Sequence, residues 1–176
     1  MKFFAVLQYR ADKQDGHILD DLIAEYTSIF NPKTEPYSHS ELLFPDGMCF
    51  SSASRGDGTH GTRWIDFELL TTNKDRWDVY YKEVDEDYSR EILQNAVSII
   101  GRPYYYSGLF LDFFLPLESI GHLVGDFSDH WYCSQSVWYA LHKERKRVSP
   151  RRLQTWIRRD GFKKITMAEL KIIRNC

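Results

Sequence analysis

An α+β domain built around an antiparallel sheet is the fold class that this sequence predicts, from three observations. The chain has 176 residues, of which 43% are hydrophobic and 27% charged, the balance of one globular domain with a hydrophobic core. Pro45-Asp46-Gly47 is a turn signal between two strand-like segments, and no repeat, low-complexity tract or linker divides the chain. Five segments alternate or are rich in β-prone residues, as strands are: 2–9, 37–44, 48–54, 63–70 and 77–84.

Helices are predicted from apolar spacing and from their end signals. Asn31-Pro32 ends the first helix, and Gly101 ends the second. Ser149 is an N-cap followed by proline at the first helical position. Residues 55–62 are predicted to form a loop, and residues 107–124 are apolar and irregular. The helices are expected at 18–30, at 87–100, at 133–144, from Ser149 onward and at 167–173.

Charge and cysteine usage exclude several classes of protein. The net charge of −2 provides no global positive field, so no nucleic-acid partner is expected. We interpret the basic runs 143–147 and 151–159 as solvated helix faces, with a local anionic partner left open. The three cysteines suggest no disulfide framework, and no Cys/His spacing suits zinc, so no cofactor or metal is expected. Residues 1–7 are too short an apolar run for a signal peptide, and no span is long enough to cross a membrane, which indicates the cytoplasm.

The stretch at residues 129–141, Asp-His-Trp-Tyr-Cys-Ser-Gln-Ser-Val-Trp-Tyr-Ala-Leu, is the most informative in the chain. It places Cys133 in the first turn of a predicted helix, on one face with Val137, Ala140 and Leu141. The positive end of the helix dipole and its unpaired N–H groups favour the thiolate, which is the nucleophile. By itself the stretch is compatible with a nucleophile and with a small buried core residue.

A nucleophilic thiol needs an imidazole within reach, and His39 is our choice among six histidines. It lies on a predicted strand, where its side chain is held rigidly. With Asp46-Gly47 as the hairpin tip, Glu41 opposes Ser51 and His39 opposes Ala53, so all four share a face. Either Ser51 or Glu41 could then orient the ring. His130, three residues before Cys133, is the rival base.

The order of these segments resembles a known family. Residues 101–108, Gly-Arg-Pro-Tyr-Tyr-Tyr-Ser-Gly, resemble the Gly-x-Pro-Tyr-x-Trp-Gly-Gly segment of the NlpC-type cell-wall peptidases, which precedes an Asp-Cys-Ser-Gly helix. Tyr-Cys-Ser-Gln at 132–135 takes that place here, and a Ser-His-Ser-Glu strand stands well before it. This order resembles the circularly permuted branch, the YiiX-like proteins and their lecithin–retinol acyltransferase relatives. Over about residues 35–155, the resemblance implies a single papain-like domain whose antiparallel sheet packs against the nucleophile helix.

The resemblance also implies roles for individual residues. Tyr104 is implied beside the oxyanion, with Gln135 and His130 assigned to the same substrate side of the site. Gln135 replaces the acidic residue usual after Cys-Ser, and the strand after the histidine lacks the family's glutamate. Ser51 is therefore the first candidate for the third catalytic position, and Glu41 the second.

The expected function is a cysteine hydrolase that cleaves an amide or isopeptide bond through an acyl-enzyme. Its substrate is expected to be a peptide, a peptidoglycan fragment or a protein. One alternative is a lipid-directed thioesterase or acyltransferase, with segment 109–117 and the basic helices in peripheral contact with a membrane. The other is an inactive papain-like binding module. Because no signal peptide is expected, a phage-encoded enzyme that acts inside a host cell is a further alternative.

Overall fold

The computed structural model describes residues 2–10, 37–54, 60–72, 74–105 and 129–175. The six strands of these ranges are β1 (Lys2–Arg10), β2 (Tyr37–Leu43), β3 (Met48–Ser54), β4 (His60–Asp66), β5 (Trp77–Val84) and β6 (Lys163–Ile165). Within the described ranges its α-helices are α1 (Phe67–Leu70), α2 (Glu86–Ser98), α3 (Cys133–His142), α4 (Pro150–Arg159) and α5 (Met167–Arg174). A 3-10 turn, Lys74–Arg76, leads into β5. The predicted helix at 18–30, the apolar segment 107–124 and Cys176 lie outside the described residues.

All six strands belong to one antiparallel sheet with the order β4-β3-β2-β1-β5-β6. The α+β class with an antiparallel sheet is therefore confirmed. Strand β2 lies inside the sheet, paired to β1 through Leu7↔Glu41 and Tyr9↔His39. The β2–β3 hairpin pairs Leu42 with Phe50, the register predicted from its turn. His39 and Glu41 therefore stand on a strand with neighbours on both sides.

The sheet buries both of its faces, because alternate side chains of each strand enter different cores. One core contains Phe4, Val6, Leu42 and Phe50 and is covered by α2, α3 and α4. The other contains Ala5, Leu7, Leu43 and Val79 and is covered by α1 and α5. Residues 4–7 of β1 are fully buried, which explains why this strand reads as a continuous apolar run rather than an alternating one.

Side-chain caps begin most of the helices. Asp85 accepts a hydrogen bond from the Tyr88 N–H at the start of α2, and Ser149 accepts one from the Arg152 N–H at the start of α4. Thr166 and Glu169 form a reciprocal capping box on α5. Helix α3 differs, because its N-cap residue, Tyr132, makes no side-chain capping bond.

The structure differs from the predicted secondary structure in two places. Residues 63–70 were expected to form one strand, but β4 runs from His60 to Asp66 and α1 follows it. The Asp66 carboxylate accepts hydrogen bonds from the N–H groups of Glu68 and Leu69, and this local cap overrides the β-prone composition. The short strand β6 was not expected, since three residues carry too little pattern to predict a strand.

Candidate active site

The centre of the site is a pair of side chains two residues apart on β2. The His39 Nε2 atom lies 2.7 Å from the Glu41 Oε1 atom. Since burial and partners leave Glu41 ionised, as shown below, Nε2 carries a hydrogen and donates it to the carboxylate. The Glu41 side chain is fully buried, whereas 19% of the His39 side chain remains exposed. The strand thus presents an imidazole whose outer edge can reach other groups while its inner edge is held by a carboxylate.

Cys133 completes a three-residue array with this pair. It is the first residue of α3, it is buried, and its sulfur adjoins the His39 ring, whose pKa it raises. Because Nε2 is held by Glu41, Nδ1 is the ring nitrogen left for the sulfur. The predicted approach of Cys133 and His39, across 93 intervening positions of sequence, is present in the structure.

The leading end of α3 reaches His39 where β2 and β3 part. The β2–β3 ladder comprises two residue pairs, and beyond them the Ser52 N–H donates to the Ser136 Oγ atom of α3, at 3.1 Å. The Ser136 hydroxyl in turn donates to the Cys133 carbonyl at 2.8 Å, and the Ser52 hydroxyl donates to the Trp131 carbonyl at 2.7 Å. These bonds fasten the start of the helix to the sheet beside the imidazole.

The first turn of α3 provides a positive end with no competing acid. Its N-cap side chain makes no capping bond, and the first turn contains no acidic residue. The N–H groups of a first helical turn lack intrahelical partners, and the helix dipole adds partial positive charge there. An anion at the sulfur, or on an oxygen bound next to it, is therefore stabilised at this helix end.

Arg63 of β4 holds the far side of the Glu41 carboxylate. Its Nη2 atom lies 2.7 Å from Oε1 and its Nη1 atom 3.3 Å from Oε2, a two-point contact. Only 11% of the Arg63 side chain is exposed. Burial raises the pKa of Glu41, but the Arg63 charge and the hydrogen bonds from His39 and Arg63 outweigh it and lower that pKa to about 2.

The same array shifts the titration of the imidazole. Burial lowers the pKa of His39, but the adjoining Cys133 sulfur and the Glu41 carboxylate outweigh burial and raise that pKa to about 9. The pKa of the other described cysteine moves in the unreactive direction, because burial of Cys49 raises it. The structure thus distinguishes one thiol, next to a cationic imidazole, from another that is embedded in the core.

Ser51, the first sequence candidate for orienting His39, has a different partner. Its hydroxyl donates to the Ser40 carbonyl at 2.6 Å, and the ring nitrogen is held by Glu41, the second candidate. The ranking of Ser51 above Glu41 is therefore corrected. The physical reason is that a charged carboxylate two residues along the strand makes a stronger bond to the ring than a neutral hydroxyl, which finds its own carbonyl.

The other predicted site residues lie around the helix entry. Tyr104 is half-buried and forms an isolated parallel bridge with Trp131, which lies two positions before Cys133 in the sequence. His130, the rival base, lies with its ring centroid 6.0 Å from that of Tyr105, and its carbonyl accepts a hydrogen bond from Arg145. The Cys133 sulfur adjoins the ring of His39, whose pKa it raises.

Gln135 is 5% exposed, and its side-chain oxygen has no partner among the described residues. The structure does not assign this amide to the sulfur or to the ring. Its role on the substrate side stays a prediction.

Arg63 is the site residue that the sequence analysis missed, although a signal existed. Glu41 precedes two leucines on a strand predicted to lie in the sheet, and a carboxylate buried there needs a cationic partner. Pairing of β3 with β4 sets Arg63 opposite Ser51 and so identifies that partner. The sequence does not predict this pairing, because residues 55–62 are expected to form a loop whereas β4 begins at His60.

The described residues contain neither a metal-binding cluster nor a membrane-spanning helix. Among the described ranges, no group of three or more His, Cys, Asp or Glu side chains is arranged to hold a metal ion. Within the same ranges, no helix combines the length and apolar character needed to cross a bilayer.

Comparison with protein-family models, with curated proteins and with solved structures found no match to this chain.

Proposed function

We propose that this chain is a cysteine hydrolase of circularly permuted papain-like architecture that cleaves an amide or isopeptide bond. One observation carries the proposal: the His39 ring donates to the Glu41 carboxylate at 2.7 Å and adjoins the Cys133 sulfur at the start of α3. Nucleophile, base and orienting acid in this order are the parts of an acyl-transfer site. The order of the parts in the chain, with the histidine strand before the cysteine helix, agrees with the permuted family that the sequence resembles.

The reacting form is the ion pair in which the thiol proton of Cys133 resides on His39, a thiolate beside an imidazolium, in agreement with the raised pKa of His39. The sulfur attacks the substrate carbonyl carbon, and the carbonyl electrons move to oxygen. The Cys133 backbone N–H at the start of α3 donates to that oxyanion, with Tyr104 beside it. As the tetrahedral intermediate collapses, the carbon–nitrogen bond breaks and His39 gives its proton to the leaving amine. The products of this half-reaction are a free amine and a thioester at Cys133.

Hydrolysis of the thioester reverses these roles. His39 takes a proton from water, the resulting hydroxide attacks the thioester carbon, and the carbon–sulfur bond breaks. The carboxylic acid leaves, and the sulfur and the imidazole return to their starting state. Glu41 remains ionised throughout, because its function is to orient the ring and to stabilise its positive charge.

Activity-based labelling tests this proposal without knowledge of the natural substrate. Purified protein is treated with peptide-bearing and acyl-bearing electrophiles, and the modified residue is located by peptide mass spectrometry. We expect fast modification of Cys133, slow modification of Cys49, and loss of labelling in His39→Ala. Cys49→Ala is the matched control, because it removes the other described cysteine and keeps Cys133, His39 and Glu41 in place.

The class of electrophile accepted then identifies the chemistry. Preference for peptide probes over acyl probes supports amide hydrolysis, whereas the reverse preference supports the lipid-directed alternative. The hydrolase proposal is contradicted if Cys133 is labelled no faster than free cysteine and at equal rates in wild type and His39→Ala. That result supports an inactive binding module instead.

A further inference from the structure

We propose that Arg63 is a positioning residue of this site: by gripping both oxygens of Glu41 it keeps the carboxylate ionised and oriented, and through it holds the His39 ring toward Cys133. The inference rests on the proposed function, since it names a fourth member of the same site. Arg63 does not touch the sulfur and acts only through Glu41.

The contact geometry leaves the carboxylate one orientation. The Oε1 atom accepts from His39 Nε2 at 2.7 Å and from Arg63 Nη2 at 2.7 Å, while Oε2 accepts from Nη1 at 3.3 Å. A carboxylate held only by the imidazole could rotate about its terminal torsion, which is a soft one. A planar guanidinium with two donors opposes that rotation, and a lysine ammonium cannot supply the same fork.

Arg63 reaches Glu41 across an intervening strand. The β3–β4 ladder sets Arg63 opposite Ser51, and the Ser51 hydroxyl donates to the β2 carbonyl of Ser40, the residue before Glu41. Arg63, Ser51 and Glu41 therefore form one row over three neighbouring strands. Ser51 is short and fully buried, and its hydroxyl turns to the Ser40 carbonyl, so the guanidinium passes over it. The small residue in the middle of the row is part of the arrangement.

Charge explains why such a partner is required. The Glu41 carboxylate is fully buried, and burial without a cation favours its neutral form. A neutral carboxyl group would stabilise the His39 imidazolium far less, and the thiolate would lose its counter-charge. With Arg63 present, the thiolate, imidazolium, carboxylate and guanidinium alternate in sign and sum to zero.

The test is the rate of Cys133 alkylation by iodoacetamide between pH 5 and 9, measured by peptide mass spectrometry. We expect Arg63→Gln to slow alkylation at pH 6 by about tenfold or more, because the thiolate and not the thiol reacts. Glu41→Gln should slow it similarly, and the double variant should be no slower than Glu41→Gln. Arg63→Lys should retain part of the rate, since it keeps the charge and loses the fork. Lys164→Gln, which breaks the Asp78 ion pair on another part of the sheet, is the matched control and should leave the rate unchanged.

A merely structural Arg63 predicts a different result. In that case Arg63→Gln lowers the melting temperature while the pH profile of Cys133 alkylation stays that of wild type. A second contrary result is that the fold-losses in alkylation rate of Arg63→Gln and Glu41→Gln multiply in the double variant. Either finding overturns the inference. Ser51→Leu provides a second test, because a bulky side chain in the row should reproduce the Arg63→Gln profile with both charged residues still present.

The two proposals fail separately in these assays. An Arg63-dependent alkylation rate with no turnover of any peptide or acyl probe supports the role of Arg63 and contradicts the hydrolase. Cys133-dependent turnover that Arg63→Gln leaves intact supports the hydrolase and contradicts the role of Arg63.

Discussion

Replacement of Glu41 by glutamine should lower stability and thiol reactivity together, and a second substitution should restore only stability. Glu41 is fully buried and pairs with Arg63, whose side chain is 11% exposed. Glutamine removes the negative charge that the Arg63 guanidinium contacts at two points, and it turns an amide donor toward another donor. Breaking one partner of a buried ion pair costs about 3–5 kcal/mol. At about 2–4 °C per kcal/mol for a chain of this size, the melting temperature should fall by about 6–20 °C.

The double variant Glu41→Gln/Arg63→Gln removes both charges of the pair and allows the two amides to pair. Its loss of stability should therefore be smaller than the sum of the single losses by about 2–3 kcal/mol. Urea unfolding followed by circular dichroism measures all three values, and the alkylation assay is run on the same samples. Stability should return in the double variant while the Cys133 rate stays low, because His39 still lacks its carboxylate.

An exposed ion pair supplies the control for this cycle. Asp87 and Arg90 lie one turn apart on α2, with most of both side chains exposed, so Arg90→Gln should change stability by less than about 0.5 kcal/mol. If Glu41→Gln costs as little as this control, or if the two single losses simply add, the reasoning from a buried, coupled pair is refuted.

Three further outcomes are expected. The pKa of His39 rises from 6.5 to about 9 on folding, so the His39 contribution to stability is complete below pH 6.5 and is lost as pH rises through 9. The pKa of Glu41 falls from 4.5 to about 2, so the Glu41 contribution is complete above pH 4.5 and is lost as pH falls through 2. Both are present between pH 4.5 and 6.5, and urea midpoints measured against pH should lose their alkaline decline in His39→Ala; a decline of equal size in that variant contradicts the assignment. Ser51→Ala, which removes a bond to the Ser40 carbonyl but none to the ring, should cost about 1 kcal/mol and keep Cys133 alkylation within about twofold of wild type, and a loss like that of Glu41→Gln would return Ser51 to the site. Ser136→Ala leaves the buried Ser52 N–H without its acceptor and should cost about 1–3 kcal/mol while it slows alkylation, since it loosens the start of α3; unchanged unfolding and labelling would show that these bonds do not position the helix.

Local chemistry in the sequence determined most of the elements, and together with the resemblance to a family it selected Cys133 and His39 as candidates. Three kinds of feature are local, because they follow from periodicity and from side chains within a few positions. They are the strands at the start of the chain, the hairpin register that pairs Leu42 with Phe50, and the caps at Asp85 and Ser149. Cys133 was identified by its position at the start of a helix, and His39 by its place on a rigid strand. Both inferences needed only short-range pattern and the order of motifs along the chain.

The tertiary structure decided which groups meet around the ring. Ser51 and Glu41 share a face in the sequence pattern, and only the packed sheet shows that the hydroxyl turns to a carbonyl while the carboxylate takes the imidazole. Arg63 entered the site through the β3–β4 pairing, a contact between strands whose register depends on the length of the loop between them. Charge partners in a buried site are chosen by distances across several strands, and the linear order of residues does not encode those distances.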